Sequence, residues 1–266
     1  MKRKFLLIPL CVFFLAITVY AGIELYNIGR DYKAGEDAYQ ALGSYVQPAP
    51  QKPKEEAKPQ PVSPSEEPEA TEPTQTESSF PQVDFEGLWE VCPDVVAWIC
   101  MEDTVLSYPV VQARNNDYYL RRLVDGTSNS AGSLFMDYLN APDFSDENTV
   151  IYGHNMKNGS MFATVVEYKD QAFYDAHPTC QIMTPQGNYT VEFFAGFVAN
   201  LKSRAWDQNF DTEEDYAAWL AEAKKKSTFQ SDVTPTAQDR VVTLSTCSYE
   251  YDDARYVLMG VLREEN

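Results

Sequence analysis

Residues 241–249 read Val241-Val242-Thr243-Leu244-Ser245-Thr246-Cys247-Ser248-Tyr249. The first four are β-branched or apolar, and such a short run predicts a buried strand. A thiol at the end of a rigid strand is held in place while its tip stays accessible, which suits covalent chemistry. Arg255 follows eight residues after Cys247, and its permanent charge can anchor a carboxylate or stabilise an oxyanion. The alternative is that Cys247 is a small buried hydrophobic residue, as free cysteines commonly are.

The other cysteines do not predict a disulfide framework or a metal site. The chain has five cysteines, of which Cys11 lies in an N-terminal apolar run and the rest are Cys92, Cys100, Cys180 and Cys247. No Cys-x-x-Cys pair is present, so a structural zinc site is not expected. Domains stapled by disulfides are normally small and cysteine-dense, and this chain is neither. The thiols other than Cys247 are therefore predicted to be packing residues.

Length and charge limit the class of protein. A chain of 266 residues allows one or two domains. The net charge is −19, and the acidic residues are spread along the chain instead of being held in a tail. So acidic a chain is not expected to have a nucleic acid as its partner.

Residues 1–23 have the pattern of a membrane anchor. Three basic residues, Lys2 to Lys4, precede an apolar run from Phe5 to Ile23 that is long enough to cross a bilayer. The positive-inside rule then predicts a cytoplasmic N-terminus and export of everything after the run. A cleaved signal peptide is the competing interpretation, but the run is long for one and residues 19–22 form a poor cleavage site. We therefore predict an uncleaved, single-pass signal anchor in the cell membrane.

Residues 24–82 are predicted to join this anchor to a folded domain. The first part, up to residue 46, is polar with scattered Tyr and Leu and is expected to continue the helix out of the bilayer. Residues 47–82 contain nine of the chain's 16 prolines, and such a composition cannot bury enough apolar area to fold. We expect a disordered, partly extended spacer that holds the domain away from the membrane.

Residues 83–266 are predicted to form one mainly β domain. A short helix should start after Asp84 and end before Pro93, and a second should follow Thr212, which has Asp215 at capping-box spacing. A further helical insertion is expected over residues 116–123. The rest is a series of short β-like runs between turn residues, which suggests a closed barrel or a sandwich. The runs are 95–100, 105–111, 132–136, 149–152, 180–184, 189–198, 241–244 and 256–262.

A cysteine nucleophile needs a partner that takes or shares its proton, and histidine is the usual one. The chain has two histidines. His154 follows the strand-like run 149–152 through Gly153, so it is expected at a strand exit, as Cys247 is. His177 precedes Pro178, a position whose restricted backbone suits a turn or a surface role. His154 is therefore the candidate partner.

Three motifs in order resemble those of the sortases, the membrane-anchored cysteine transpeptidases of Gram-positive bacteria. They are Tyr152-Gly153-His154-Asn155-Met156, Thr243-Leu244-Ser245-Thr246-Cys247, and Arg255 after a short acidic loop. Residues 132–137, residues 159–162 and the helix before the last strands look like class B. The resemblance covers residues 84–264. It implies a closed eight-stranded sortase-type β-barrel with an N-terminal helix and a helix inserted before the last two strands.

The resemblance also implies a mechanism. Cys247 as thiolate would attack the Thr carbonyl of a C-terminal sorting signal of the LPxTG or NPxTN type. His154 would act as acid and base, and Arg255 would hold the substrate and stabilise the oxyanion. A thioacyl-enzyme would then pass the surface protein to a peptidoglycan amine, with no cofactor and no metal. The residues implied for the substrate groove are Asn116, Leu120 and Ser245.

Several alternatives stay open from the sequence. A pilin-polymerising sortase and a different cysteine peptidase or hydrolase are the closest, although papain-like enzymes place Cys before His and here His154 precedes Cys247 by 93 residues. A non-enzymatic exported β domain is another, and selective alkylation of Cys247 distinguishes it from an enzyme. The sorting motif, the acceptor amine and the roles of Ser248, Glu250 and the loop within residues 201–229 are not assigned.

Overall fold

The computed structural model describes residues 2–49 and 80–265, with side chains from residue 11 onward. In chain order the helices and strands are α1 (Lys2–Leu42), β1 (Val46–Gln47), β2 (Gln82–Val83), α2 (Phe85–Val91), β3 (Val95–Cys100), β4 (Ser107–Val111), β5 (Leu134–Met136), β6 (Asn148–Tyr152), α3 (Gln171–Ala176), β7 (Thr179–Met183), β8 (Asn188–Ala199), α4 (Glu213–Lys226), β9 (Val241–Cys247) and β10 (Arg255–Glu265). Short 3-10 turns cover Gly43–Tyr45, Tyr118–Arg121, Phe162–Lys169 and Arg204–Trp206.

Strands β3 to β10 close into a barrel in the order β10-β8-β7-β3-β4-β5-β6-β9. Neighbouring strands are antiparallel except for β4 beside β5 and β6 beside β9, which run parallel. Helix α2 precedes the first barrel strand, and α4 lies between β8 and β9. The prediction of a mainly β, closed eight-stranded barrel with a helix before its last two strands is confirmed.

The side chains of β10 alternate between two hydrophobic clusters. Tyr256 and Leu258 belong to the large cluster of the barrel, whereas Val257 and Met259 pack with the apolar face of α4. Successive residues of a strand point to opposite faces of the sheet. Because both faces are covered here, the sequence is apolar throughout instead of alternating with polar residues.

Two predicted helix starts are confirmed by their caps. The Asp84 carboxylate accepts from the Gly87 amide at 3.0 Å at the start of α2. The Thr212 hydroxyl accepts from the Asp215 amide at 3.1 Å at the start of α4. Such caps satisfy amides that have no partner within the helix. Helix α3 and the turn over 162–169 were not predicted.

The helix predicted over residues 116–123 is only a short 3-10 turn, Tyr118–Arg121. Its backbone groups are used by other partners. The Tyr119 carbonyl accepts from the Ser133 amide at 3.0 Å, and the Leu123 amide donates to Thr127 at 2.9 Å. The hydrogen bond that would extend an α-helix between Tyr119 and Leu123 is therefore replaced by contacts to a later segment.

Helix α1 combines an apolar part with a part that packs on the barrel. The apolar part is long enough to span a membrane, with a mean hydropathy of 1.7 in a window whose side chains are unburied. Near the end of the helix, Tyr39 and Leu42 are each only 8% exposed and belong to the barrel cluster. The polar segment after the apolar run is helical, as expected, but it is docked onto the domain.

The ends of the proline-rich segment lie together. Val46 pairs with Val83 and Gln47 with Gln82 in the antiparallel β1–β2 pair, and the Asp84 amide donates to the Tyr45 carbonyl at 2.8 Å. Residues 50–79, which hold most of the expected spacer, lie outside the described residues. Because the segment starts and ends at one place, its length does not set the separation of α1 from the barrel. The disordered, partly extended spacer expected from composition therefore stays a prediction.

Candidate active site

The six residues singled out from the sequence all line one cleft of about 330 Å³. The cleft lies where β6 and β9 end and β10 begins. Those six are Asn116, Leu120, His154, Ser245, Cys247 and Arg255, and the other lining residues are Asp117, Phe135, Tyr152, Gly153, Leu201, Trp206 and Thr246. Residues separated by up to 139 positions in the chain are thus brought to one end of the barrel.

Cys247 and Arg255 are placed by strand register. Arg255 stands opposite Cys247 in the antiparallel β9–β10 pair, so both side chains project from the same face. Both residues are half-buried. The Cys247 carbonyl accepts from Asn155 Nδ2 at 3.1 Å, which fixes the end of β9. One guanidinium nitrogen of Arg255 donates to the Ala254 carbonyl at 3.0 Å, and the rest of the fork faces the cleft.

His154 is brought to the cleft by the parallel pairing of β6 with β9. Beyond the paired strands, the Gly153 amide donates to the Ser245 carbonyl at 3.1 Å and the Thr246 hydroxyl donates to the Gly153 carbonyl at 2.8 Å. A Cβ on Gly153 would lie 2.4 Å from a methyl of Leu134, so only glycine fits there. These contacts connect the exits of the two strands that carry the imidazole and the thiol.

Among the described residues, the imidazole of His154 has one hydrogen-bond partner, the Leu120 carbonyl, at 2.7 Å from Nε2. A carbonyl oxygen can only accept, so Nε2 carries the proton in this arrangement. Nδ1 is then the nitrogen that can take or give a proton. Within residues 11–49 and 80–265 no hydrogen bond joins this ring to the Cys247 thiol.

A buried carboxylate supports one wall of the cleft. Asp137 is 6% exposed, and it accepts from Asn116 Nδ2 and from the Tyr152 hydroxyl, both at 2.9 Å. Asn116 is held at its other end too, because its Oδ1 accepts from the Tyr138 amide at 3.0 Å. Burial, followed by the charge of Asp137, raises the pKa of Tyr152, so its phenol remains a neutral donor.

A second wall comes from the loop after β8. The Trp206 indole donates to the Ser245 hydroxyl at 3.0 Å, and Leu201 lines the same side of the cleft. The sequence placed a substrate-binding loop within residues 201–229 without naming residues. Nothing in the local sequence distinguishes Trp206 from the buried Trp219 of α4, since only the fold places the former at the cleft.

The loop between Cys247 and Arg255 is held by an ion pair. Lys169 pairs with Glu250 and donates to the Ser248 hydroxyl at 2.9 Å, while Ser248 is also hydrogen-bonded to Glu250. The hydrogen bond from Lys169, followed by that from Ser248, lowers the pKa of Glu250 to about 2. Neither Ser248 nor Glu250 lines the cleft, so their contacts indicate a structural role in the loop.

The remaining thiols and the second histidine lie outside the cleft. Cys92 and Cys180 are buried, and burial raises the pKa of the half-buried Cys100 to about 11. His177 follows α3, where its amide donates to the Phe173 carbonyl at 3.0 Å and its ring contacts the Phe173 ring. A larger groove of about 490 Å³ lies beside α4 and contains none of the six residues singled out.

A thiol, a guanidinium and an imidazole at adjoining strand ends of a closed eight-stranded barrel are the arrangement expected of a sortase-type cysteine transpeptidase. No protein-family model matches the chain. The chain is 39% identical over 181 residues to sortase B of Listeria monocytogenes, a match covering 67% of this chain and 74% of that protein.

The fold of the chain is also similar to solved structures of sortase B. The fold matches Bacillus anthracis sortase B in complex with AAEK1 at a TM-score of 0.72 and 29% identity, over 90% of this chain and 100% of that one. It matches the Staphylococcus aureus sortase B-substrate complex at a TM-score of 0.66 and 33% identity, over 68% of this chain and 85% of that one. The chain therefore belongs to the sortase B family of cysteine transpeptidases.

Proposed function

We propose that Cys247, His154 and Arg255 cleave a C-terminal sorting signal of the LPxTG or NPxTN type after its Thr and transfer the protein to a peptidoglycan amine. One observation carries the proposal. The β9–β10 register sets Arg255 opposite Cys247 in the cleft that also contains His154. A solved Staphylococcus aureus relative bound to substrate supports a peptide substrate for this chain.

Acylation uses the Cys247 thiolate and the imidazolium of His154 together. The Cys247 thiolate attacks the Thr carbonyl carbon, and the C–O electron pair moves onto oxygen as the tetrahedral intermediate forms. The Arg255 fork is on the same face of the sheet as the thiol, so it stabilises that oxyanion. The C–N bond then breaks, and the leaving amine takes a proton from Nδ1 of His154. A thioester at Cys247 is the product.

Deacylation reverses these roles. An amine of the peptidoglycan precursor gives a proton to Nδ1 of His154 as its nitrogen attacks the thioester carbon. The C–S bond breaks and the thiolate of Cys247 is restored. Throughout both steps Nε2 donates to the Leu120 carbonyl, which also stabilises the imidazolium form.

The cleft walls supply substrate contacts. Asn116, Leu120 and Ser245, the residues implied by the resemblance, all line the cleft, and Trp206 adds an apolar surface beside Ser245. Asn116 uses one amide N–H on Asp137, so its second N–H is the one available to a peptide carbonyl. These contacts orient the Thr carbonyl toward the thiol.

The location of the enzyme follows from α1. We propose that its apolar part anchors the protein in the cell membrane, with the three N-terminal basic residues in the cytoplasm and the barrel outside. Intact cells treated with an added protease should lose the barrel while the anchor fragment stays with the membrane. Resistance of the barrel in intact cells would contradict this orientation.

The test of the activity is a cleavage screen with the purified full chain in detergent. Variant pentapeptides are offered with and without an added primary amine, and intact mass spectrometry follows the enzyme. A preferred peptide should add its N-terminal acyl fragment to the chain, and hydroxylamine should release it as the hydroxamate.

The matched variant is Cys247→Ala, which should abolish the adduct and the cleavage while leaving the melting temperature unchanged. Arg255→Lys keeps the charge but loses the planar fork, so most activity should be lost. Cleavage by the Cys247→Ala variant at the native rate would rule the mechanism out.

A further inference from the structure

Helix α1 presents one face to the barrel beyond its apolar part. Asp31, Gly35, Tyr39 and Leu42 recur at spacings of four, four and three residues, which places them on one side of a helix. Asn129 Nδ2 donates to the Asp31 carbonyl at 2.8 Å, and the Ser130 amide donates to the Asp31 carboxylate at 3.1 Å. This face contacts residues 129–133, called the relay segment below.

The approach of the helix is close enough to require glycine. A Cβ on Gly35 would lie 2.9 Å from Asn129 Oδ1. Glycine in a helix interior is less favourable than alanine by about 1 kcal/mol, so its presence at the contact fits a packing requirement. Four residues further on, Tyr39 donates its hydroxyl proton to the Gly132 carbonyl at 2.5 Å, and its ring stands edge-on to Tyr108 at 5.1 Å.

The other side of the relay segment supports the turn that carries Leu120. The Ser133 amide donates to the Tyr119 carbonyl at 3.0 Å, and the Ser133 hydroxyl donates to the Arg122 carbonyl at 2.9 Å. At Gly132, where φ is +57°, a Cβ would lie 2.5 Å from the Leu120 carbonyl oxygen. The backbones are therefore in contact at the oxygen that accepts from His154.

A continuous path thus leads from the anchor helix to the imidazole. Tyr39 bonds to Gly132, Gly132 packs on the Leu120 carbonyl, and that carbonyl holds Nε2 of His154 at 2.7 Å. Each contact adjoins the next, so a shift of the relay segment would displace the Leu120 carbonyl.

We propose that Tyr39 is a positioning residue of the active site, acting through the relay segment and the Leu120 carbonyl on the imidazole of His154. The docked part of α1 then has a role in catalysis besides joining the barrel to the membrane. The proposal rests on the proposed role of His154 as acid and base. The effect of Tyr39 on the His154 imidazole can nevertheless be measured without any substrate.

The experiment uses Tyr39→Phe in the full chain in detergent micelles, which keeps the ring against Tyr108 and removes the hydroxyl. With two histidines in the chain, NMR of the imidazole Cε1–H groups resolves His154 and uses His177 as an internal reference. We expect the titration midpoint of His154 to move while that of His177 stays, and kcat/KM to fall about fivefold, which corresponds to about 1 kcal/mol.

The matched control is Tyr32→Phe. Tyr32 packs against the barrel cluster from the same helix, and no hydrogen bond of its hydroxyl is found among the described residues. It should leave both the midpoint and kcat/KM at their native values. Gly35→Ala, whose Cβ crowds the Asn129 side chain of the relay segment, should move the His154 midpoint in the same direction as Tyr39→Phe.

The outcomes separate the two proposals. An unmoved His154 midpoint in both Tyr39→Phe and Gly35→Ala, with the barrel still folded, would overturn the positioning role. If the midpoint moves as expected but no peptide is cleaved by the parent chain, the positioning role stands and the proposed substrate class fails.

Discussion

Asp137→Asn should destabilise the barrel and weaken substrate binding together, because this buried carboxylate has donors on both oxygens. Oδ2 accepts from Asn116 Nδ2 and the Tyr152 hydroxyl, both at 2.9 Å, and Oδ1 accepts from the Leu139 amide at 3.0 Å. The substitution keeps shape and volume. Only the pattern of acceptors changes, since one oxygen becomes an NH₂ group.

The size of the effect follows from the two possible orientations of the new amide. If the NH₂ group takes the place of Oδ2, the donors of Asn116 and Tyr152 both face another donor. If it takes the place of Oδ1, only the Leu139 amide faces another donor. The second orientation therefore sets the smaller loss: the part-buried Leu139 amide loses its acceptor, and the two bonds to Oδ2 lose the charge of theirs, at about 1–3 kcal/mol in all. We expect the free energy of unfolding to fall by about 2 kcal/mol, well outside the ~0.5 kcal/mol typical of surface changes.

Urea unfolding followed by tryptophan fluorescence measures this loss, with Asp143→Asn as the matched control. Asp143 is an exposed aspartate of the neighbouring loop that accepts from the Ser145 amide at 3.1 Å. Steady-state kinetics should show KM rising more than kcat falls, since Asn116 and Tyr152 are wall residues of the cleft. The control should change neither quantity.

A double-mutant cycle identifies the cause. Tyr152→Phe removes a hydrogen bond that Asp137→Asn would weaken by taking away the charge of its acceptor, so Asp137→Asn should cost about 1 kcal/mol less in that background than in the parent chain. Purely additive losses, or an Asp137→Asn chain as stable as the parent within ~0.5 kcal/mol, would refute the reasoning.

Three further outcomes follow from the same contacts. Glu250→Gln should remove about 1 kcal/mol of stability at neutral pH, a value reduced for the 38% exposure of both side chains of the Lys169 pair. Because the pKa of Glu250 is lowered from 4.5 to about 2, the parent should keep this stabilisation above pH 4.5 and lose it as the pH falls toward 2, whereas the variant should not show that loss. Iodoacetamide at pH 8 should label Cys247 well before Cys100, whose pKa of about 11 leaves about one thiol in a thousand ionised. Trp206→Phe removes one hydrogen bond to the buried Ser245 hydroxyl, so it should lower the free energy of unfolding by about 1 kcal/mol, and it should also lower kcat/KM because Ser245 is no longer oriented at the cleft.

Each of these has a result that would contradict it. Equal acid sensitivity of the parent and the Glu250→Gln chain would show that the ion pair contributes nothing. Equal labelling rates at Cys247 and Cys100 would indicate that neither burial nor the cleft controls thiol reactivity. Unchanged kinetics in Trp206→Phe would remove the indole from the substrate wall.

The strands of the barrel could be predicted because burial leaves a local pattern. β3 has the bounds expected from its apolar run, Val95–Cys100. β9 continues three residues beyond the predicted end at Leu244, through Ser245, Thr246 and Cys247, of which only Thr246 is of a type enriched in strands. Their pairing with β10, a contact between distant parts of the chain, extends the strand.

The site could be predicted as a set of residues but not as a set of contacts. The order of the motifs predicted that His154, Cys247 and Arg255 belong to one site, and all three line one cleft. The bond of His154 to the Leu120 carbonyl spans 34 positions and leaves no trace in either local sequence. Trp206 was missed for the same reason, since its bond to the cleft depends on where the barrel returns the loop after β8.

The proline-rich segment shows where composition and topology give different information. Composition predicts that residues 47–82 are poor in the apolar residues of a core, although Phe80 near their end is buried in the barrel cluster, and it says nothing about where the two ends lie. Bringing those ends together costs entropy that grows only with the logarithm of loop length, so a long insertion between β1 and β2 is easily tolerated.

Two-residue strands could not offset that cost alone. The docking of Tyr39 and Leu42 holds the end of α1 on the barrel, and it thereby brings Val46 to Val83. The packing of α1 on the barrel thus fixes where residues 46 and 47 lie relative to the barrel.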